Sequence, residues 1–301
     1  MFIIKYKKIF IGISIGLVIL SLISLFTFGL KIGIDFKGGA LTEVYYSGEI
    51  PDQISVVASV KEAGLGEALI QPTGENGFIV KTKDLSEPER VLLFSALNLG
   101  DKYTGEVKNF SSIGPSVGKE LAKKAIVAII LVSLAIILFI AFAFRHVSKP
   151  VSSWRYGLIA IVSLLHDVII PVGIFSLLSH FKGAEVDTLF VVAILTVLGL
   201  SVSDTIVVFD RIRENIRNRF SANFGETVGR SLTQSYQRSI NTSLTVILVL
   251  LSLYFFGPSS TKYFALMMTA GMFFGTYSSI FLASPLLVLT EEWQTKSSRK
   301  R

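Results

Sequence analysis

Uncharged or nearly uncharged runs of 20 residues or more recur six times along the chain: residues 9–30, 125–144, 156–179, 188–209, 239–260 and 263–290. At a rise of about 1.5 Å per residue, about 20 residues cross a hydrocarbon core about 30 Å thick, so each run predicts a membrane-spanning helix. One such run could equally be a buried helix of a soluble protein; six in one chain could not. The first follows Lys5, Lys7 and Lys8 like a signal peptide, but ends at Phe28-Gly29-Leu30-Lys31 without an Ala-x-Ala site. It reads as an uncleaved span.

Between the first and second runs the pattern changes to short alternating segments. Residues 40–46, 67–71, 78–82 and 103–110 read as strands, with a turn at residues 73–77 between the middle two. Residues 51–63 read as a helix with Ile54, Val57, Ala58 and Val60 on one face. A second helix starts at Ser86 as N-cap, with Pro88 in the first turn and Glu89 three residues on, carries Val91, Leu92, Phe94, Ser95 and Leu99, and ends at Gly100. The order β-α-β-β-α-β suits a small ferredoxin-like domain of two split βαβ units.

Composition agrees with the membrane reading. Of 301 residues, 51% are hydrophobic and 17% charged, and the mean hydropathy is +0.61, too little polar surface for a soluble fold of this size. The absence of cysteine excludes disulfides, thiolate-held iron–sulfur clusters and a thiol nucleophile. Three histidines without His-x-x-x-His spacing argue against a metal site, and no cofactor is expected.

The net charge of +7 raises the possibility of nucleic acid, but its distribution favours topology instead. With the N-terminus inside, the inner segments hold sixteen Lys and Arg: Lys5, Lys7, Lys8, Arg145, Lys149, Arg155, Arg211, Arg213, Arg217, Arg219, Arg230, Arg238, Lys296, Arg299, Lys300 and Arg301. The two short outer loops hold one each, Lys182 and Lys262. This asymmetry puts both termini on the cytoplasmic side and residues 31–124 outside. Four segments result: span 1 in 1–30, the exported domain 31–124, a five-helix membrane domain 125–290 and a basic tail 291–301. Residues 31–121 carry 9 basic and 13 acidic side chains, with no His or Cys. That domain has no catalytic constellation, so binding or mechanical work is the expectation for it.

Glycine-rich Gly33-Ile34-Asp35-Phe36-Lys37-Gly38-Gly39 follows the first span. It reads as an exit loop, since a phosphate loop needs a following helix and a Gly-Lys-Ser/Thr ending.

Charges inside spans cost about 2.5–3.5 kcal/mol for a central Asp and need a reason. Asp204 lies six residues before Asp210 in the fourth run, His166-Asp167 near the middle of the third, and Arg238 at the inner start of the fifth. The fourth run heads inward and the fifth outward, so Arg238 reaches Asp204 if these helices pack, and the couple could switch a proton. Alternatives stay open: Arg238 as an ordinary inner flank, Asp204 in a structural contact with Ser201, Thr196 or Asn241, and Asp167 held locally by His166. Gly12-x-x-x-Gly16 and Gly271-x-x-x-Gly275 permit close helix packing, within the chain or with a partner. The amphipathic segment 210–237 is expected to lie along the headgroups, its arginines on anionic membrane lipid.

Four motifs together resemble the SecF family, the smaller subunits of the bacterial SecDF accessory complex. They are Gly33–Gly39, His166-Asp167-Val168, the run from Asp204-Thr205 to Asp210-Arg211 and on to Asn215, and Gln237-Arg238-Ser239-Ile240-Asn241-Thr242-Ser243. The usual Asn-Asp-Thr reads Ser203-Asp204-Thr205 here. The resemblance extends over essentially the whole chain and implies an RND-superfamily fold: an α-helical polytopic membrane protein with six transmembrane helices and a small α+β ferredoxin-like exported domain. It implies a bacterial cytoplasmic-membrane subunit that works with SecD, the SecYEG translocon and YajC on exported polypeptides, driven by the proton motive force, without enzymatic chemistry. It also implies a proton relay at Asp204, Arg238 and Asp167, supported by His166, Thr205, Asp210, Arg211 and Asn241, with Gly33, Asp35, Gly38 and Gly39 as the exit-loop motif. A non-transporting scaffold and an RND-type small-molecule or lipid exporter are the alternatives; the exporter should have about twelve spans and two large exported loops.

Overall fold

A computed structural model describes the chain except Met1, Glu67, Asp101, residues 145–150, Ala222 and residues 299–301. Arg145, Lys149, Arg299, Lys300 and Arg301 of the charge count, and Glu67 of the expected second strand, therefore lie outside the described residues. Among the described residues, six helices are long and apolar enough to cross a membrane. The chain divides into two compact units: residues 1–31, 128–184 and 189–301 form one, and residues 32–127 with 185–188 the other.

The smaller unit is the α+β domain. A one-turn helix α3 (Ile34–Lys37) leads into β1 (Gly39–Tyr46), α4 (Gln53–Glu62), β2 (Leu69–Thr73), β3 (Gly77–Thr82), α5 (Glu87–Leu97) and β4 (Gly105–Ile113). The sheet order is β2-β3-β1-β4 with every pairing antiparallel, the ferredoxin-like arrangement. A bulge at Glu43/Val44 shifts the β1–β4 register by one residue. The packing face of α4 differs in part from the sequence expectation: Val60 packs inward as expected, whereas Ile54 and Val57 do not. Val56 and Val60 of α4 and Leu93, Ala96 and Leu97 of α5 pack on Val44, Phe78 and Val80. Ile54, Val57, Val91 and Leu92 point outward. Both helices carry apolar residues on two sides, so spacing alone left the phase ambiguous; the sheet selects the i, i+4 pairs that reach it. At α5 the Glu89 carboxylate accepts from the backbone N–H and the hydroxyl of Ser86, at 2.9 and 2.7 Å.

The glycine-rich run is a packed corner. Gly38 and Gly39 have φ of 83° and 144°, and a Cβ on Gly38 would stand 2.7 Å from Pro115 Cα. Asp35 Oδ2 accepts from the Thr188 backbone N–H at 2.8 Å, and Gly33 N–H donates to Val186 O at 2.9 Å.

The membrane unit begins with a short α1 (Phe2–Lys5) and α2 (Lys7–Phe28), and its other long helices are α6 (Pro115–Ala143), α7 (Ser153–Lys182), α8 (Thr188–Arg217) and α9 (Phe224–Phe256). The last span is α10 (Lys262–Ser278), a π-helical segment over Ser279–Ala283 and α11 (Ser284–Ser298). Helix α2 is polar inside and apolar outside: Ser14, Ser21 and Ser24 are buried while Ile9, Ile19, Leu20 and Phe26 are exposed. Lipid is as apolar as leucine, so helix contact is driven by close approach and hydrogen bonds. Ser24 donates to Gly173 O at 2.9 Å, Ser176 donates to Gly29 O at 2.7 Å, and a Cβ on Gly173 would stand 2.9 Å from Ser21 O. A Cβ on Gly12 or Gly16 would meet nothing within 4 Å, so that glycine pair seats no close helix approach among the described residues. Gly271 and Gly275 instead receive Val197 and Ser201 of α8.

Residues 210–237 do not form a separate surface helix. Helices α8 and α9 continue beyond the apolar runs, α8 as far as Arg217 and α9 from Phe224. Ile212, Val228 and Leu232 are buried there, and the extensions are tied together by the Asn215 amide, which donates to Ser231 Oγ and Gln234 Oε1 at 2.8 Å each. An amphipathic pattern marks a face that packs; here it packs on its own hairpin.

Candidate functional site: a polar junction within the helix bundle

Four helices place polar groups around one point. Asp204 and Ser201 sit one turn apart on α8, Arg238, Ser239 and Ser243 on α9, Gly275 and Thr276 on α10, and His166-Asp167 on α7. Asp204, Ser201, Arg238, Ser243, Gly275 and Thr276 line one cavity of about 100 Å³. That volume admits several water-sized groups.

Asp204 accepts from Ser239 Oγ through Oδ1 at 2.8 Å. Its Oδ2 is buried, with no hydrogen-bond partner among the described residues. The expected carboxylate–guanidinium hydrogen bond is therefore not made, although Arg238 lines the same cavity. Neither do the anticipated structural partners hold Asp204. Ser201 bonds to Asp167, Thr196 donates to Val192 O at 2.7 Å, and Asn241 is exposed and outside the lining. Arg238 is exposed, so its long side chain has freedom to approach or leave.

Asp167 is fully buried. Its Oδ1 lies 2.8 Å from His166 Nδ1, and its Oδ2 accepts from Ser201 and from Ser278, the latter at 2.7 Å. Thr205 shares a hydrogen bond of 2.9 Å with Ser279, the first residue of the π-helical segment. Such segments shift residue phase within a helix and concentrate at functional sites. Here the segment begins directly after Ser278 and so sets which serines face α7 and α8.

The structure thus gathers Asp204, Arg238, Asp167, His166 and Thr205. It leaves Asp210 and Arg211 in ion pairs with Arg213 (2.6 Å) and Glu214 (2.8 Å), away from the cavity. Gly33, Asp35, Gly38 and Gly39 belong to the other unit. Sequence reasoning did not single out Ser239 as a partner of Asp204, nor Ser278, Ser279 and Thr276. Ser239 stood next to Arg238 in a quoted motif; the serines of the last span gave only the signal of polar residues in an apolar run. No group of three or more His, Asp and Glu side chains suited to a metal occurs among the described residues.

Residues 96–293 match the family described as "Protein export membrane protein SecD/SecF, C-terminal". The "Protein translocase subunit SecF" of Thermobaculum terrenum is 44% identical over 98% of this chain and 94% of its own length. That of Anaerolinea thermophila is 38% identical over 98% and 96%. The "Protein translocase subunit SecDF" of Bacillus subtilis is 33% identical over 98% of this chain but only 38% of its own. Among solved structures, that of SecDF from Thermus thermophilus, described as a translocon-associated membrane protein, superposes with a TM-score of 0.81 at 32% identity. The superposition covers 97% of this chain and 38% of that one, so the chain spans well under half of the SecDF polypeptides it matches. The six apolar helices, the ferredoxin-like domain and these near-full-length likenesses agree: the chain is a multi-pass membrane protein that belongs to the SecF family of protein translocase subunits.

Proposed function

We propose that this chain, together with a SecD-type subunit, couples proton movement through Asp204 to polypeptide export across the bacterial cytoplasmic membrane. One observation carries the reading: Asp204 holds a buried carboxylate oxygen without a partner among the described residues, at a polar cavity inside a span and beside an arginine that does not neutralise it by a hydrogen bond. A carboxylate at that depth is costly whatever its role, and a purely structural one would be offset by a closed ion pair. An open pair lets Asp204 take up a proton when Arg238 stands off and release it when the guanidinium approaches. Asp167 is the second carboxylate of the relay, held by His166.

The SecD-type partner follows from relatives such as that of Bacillus subtilis, in which a single longer polypeptide named SecDF contains the region matching this chain. SecYEG and YajC belong to the same export reading. Orientation rests on the basic-residue asymmetry, which supports cytoplasmic termini and an exported ferredoxin-like domain. In intact cells a cysteine at Ser86 labels with an impermeant thiol reagent and one at Ser298 does not; reversed labelling contradicts the orientation. The coupling is tested in vesicles holding the full complex by comparing gradient-driven export of the native chain and Asp204→Asn.

A further inference from the structure

We propose that Ser201 is the hydroxyl through which Asp167 exchanges protons with the Asp204 cavity, which makes His166–Asp167 an interior proton-holding site with one entrance. This inference rests on the proton reading of Asp204 and assigns a route that reading lacks.

The geometry leaves one way in. Asp167 is 0% exposed and has three side-chain partners among the described residues: His166 at Oδ1, Ser201 and Ser278 at Oδ2. The His166 side is closed. Its Nε2 is buried without a hydrogen-bond partner among the described residues, and its ring stacks on Tyr277 at 6.1 Å. The Ser278 side leads back into protein. Its oxygen accepts from fully buried Ser163 at 2.9 Å, and its single proton is shared between Asp167 Oδ2 and Gly275 O, at 2.7 and 3.0 Å. Neither His166 nor Ser278 lines the cavity; Ser201 does, and it alone among the three also borders the space that Asp204 borders. Residues 201 and 204 are an i, i+3 pair, so their side chains share one face of α8. Gly275 lines the same cavity, and a Cβ there would rest in ordinary van der Waals contact, 3.4 Å from Ser201 Cβ.

The transfer balances without a co-reactant. The Ser201 O–H donates to Asp167 Oδ2. Its proton passes to that oxygen while Ser201 Oγ accepts one from the cavity side, from protonated Asp204 or from a water there. One O–H bond breaks and one forms at Ser201, Asp167 becomes neutral, and the donor gains one negative charge. Rotation of the restored hydroxyl back toward Asp167 resets the step once that proton has left. The titratable groups facing Asp167 are His166 on its own helix and Asp204 on α8, with Arg238 of α9 across the cavity and Tyr277 of α10 against His166.

A purely structural Ser201 would only satisfy a buried carboxylate, and the test separates the two. In the intact complex in vesicles, difference infrared spectra follow the carboxylic-acid stretch of Asp167, assigned with Asp167→Asn, after a sudden reversal of the proton gradient. Ser201→Ala slows the Asp167 response about a hundredfold, the scale of a lost proton-transfer group, while the Asp204 signal still responds. Ser201→Thr keeps a hydroxyl and restores the rate. Should Ser201→Ala not assemble, Ser201→Gly, which likewise removes the hydroxyl and its exchangeable proton, gives the same reading. A native rate in Ser201→Ala, or equal slowing in the Ala and Thr variants, overturns the proposal. Export that survives Asp204→Asn sinks the reading beneath it; loss of export there with a native Asp167 rate in Ser201→Ala sinks only this one.

Discussion

Adding one methyl at Gly271 tests whether the close approach of α8 and α10 holds the polar junction in register. A Cβ at Gly271 would stand 2.9 Å from Val197 Cγ1 and 3.1 Å from its Cβ, and nearer still to Cγ2. Carbon atoms rest about 3.5–4.0 Å apart, so α10 must retreat by roughly 1 Å or Val197 must leave its rotamer. A β-branched side chain in a helix has essentially one χ1 well, so the helix moves. Overpacking of this kind costs about 1–3 kcal/mol, against a gain of about 1 kcal/mol from replacing Gly by Ala in a helix. Gly271→Ala therefore has a net cost of about 0–2 kcal/mol, and Gly271→Val, which adds bulk without that gain, costs more. Val197→Ala alone loses about 1–2 kcal/mol of packing through the space its two methyls leave. In the double variant the methyl added at position 271 fills that space, and the pair is more stable than the sum of the single effects by at least about 1 kcal/mol. Thermal unfolding of the purified chain in detergent measures all the variants against the native protein. Additive single effects, or a Gly271→Val protein as stable as the native one, refute the packing account. Ser201 faces Gly275 one turn along, so the same retreat loosens the Ser201–Asp167–Ser278 contacts.

Two further predictions concern the α+β domain within the full chain. Tyr46 is buried, its hydroxyl donates to Leu97 O at 2.9 Å, and burial pushes the phenol up to about 12. Tyr46→Phe leaves that carbonyl unsatisfied and lowers stability by about 1–3 kcal/mol in denaturant titration, and an unchanged midpoint refutes the role. Lys83 and the Ser86 N–H and hydroxyl hold Glu89 down at about 2. Its contribution is present in full above the ordinary carboxylate range and is lost as pH falls toward about 2. The gap in melting midpoint between native and Glu89→Gln proteins therefore closes on acidification; a gap that stays constant contradicts the capping role.

Length and hydropathy made the six spans legible, because a helix in lipid must be long and apolar whatever its neighbours are. The βαββαβ order was legible for a similar reason: alternation, the turn at residues 73–77 and the Ser86–Glu89 cap are local signals. Which face of a helix packs was not. On α4 and α5 apolar residues lie on both sides, and on α2 the buried face is serine. Spacing finds amphipathicity, whereas lipid-exposed helices invert it. The site was half legible. Asp204, Arg238 and Asp167 stand out as charges within or flanking apolar runs, but their hydrogen-bond partners are serines from other helices, ordinary in sequence and chosen only by helix phase. The π-helical segment over Ser279–Ala283 adds a phase shift that no regular period predicts.

Proton coupling at Asp204 is tested most directly by one comparison in vesicles containing the whole complex: complex yield and gradient-driven export for native, Asp204→Asn, and Asp204→Asn with Arg238→Gln. Asn is nearly isosteric and keeps a carbonyl that can accept from Ser239, but it cannot cycle between charged and neutral forms. Arg238 is exposed and makes no hydrogen bond to Asp204 Oδ2, so the single change does not strand a buried charge. The account predicts native yield for both variants and no gradient-driven export from either. Export at the native rate from a well-assembled Asp204→Asn complex contradicts it, as does a yield that collapses in the single variant and returns together with export in the double.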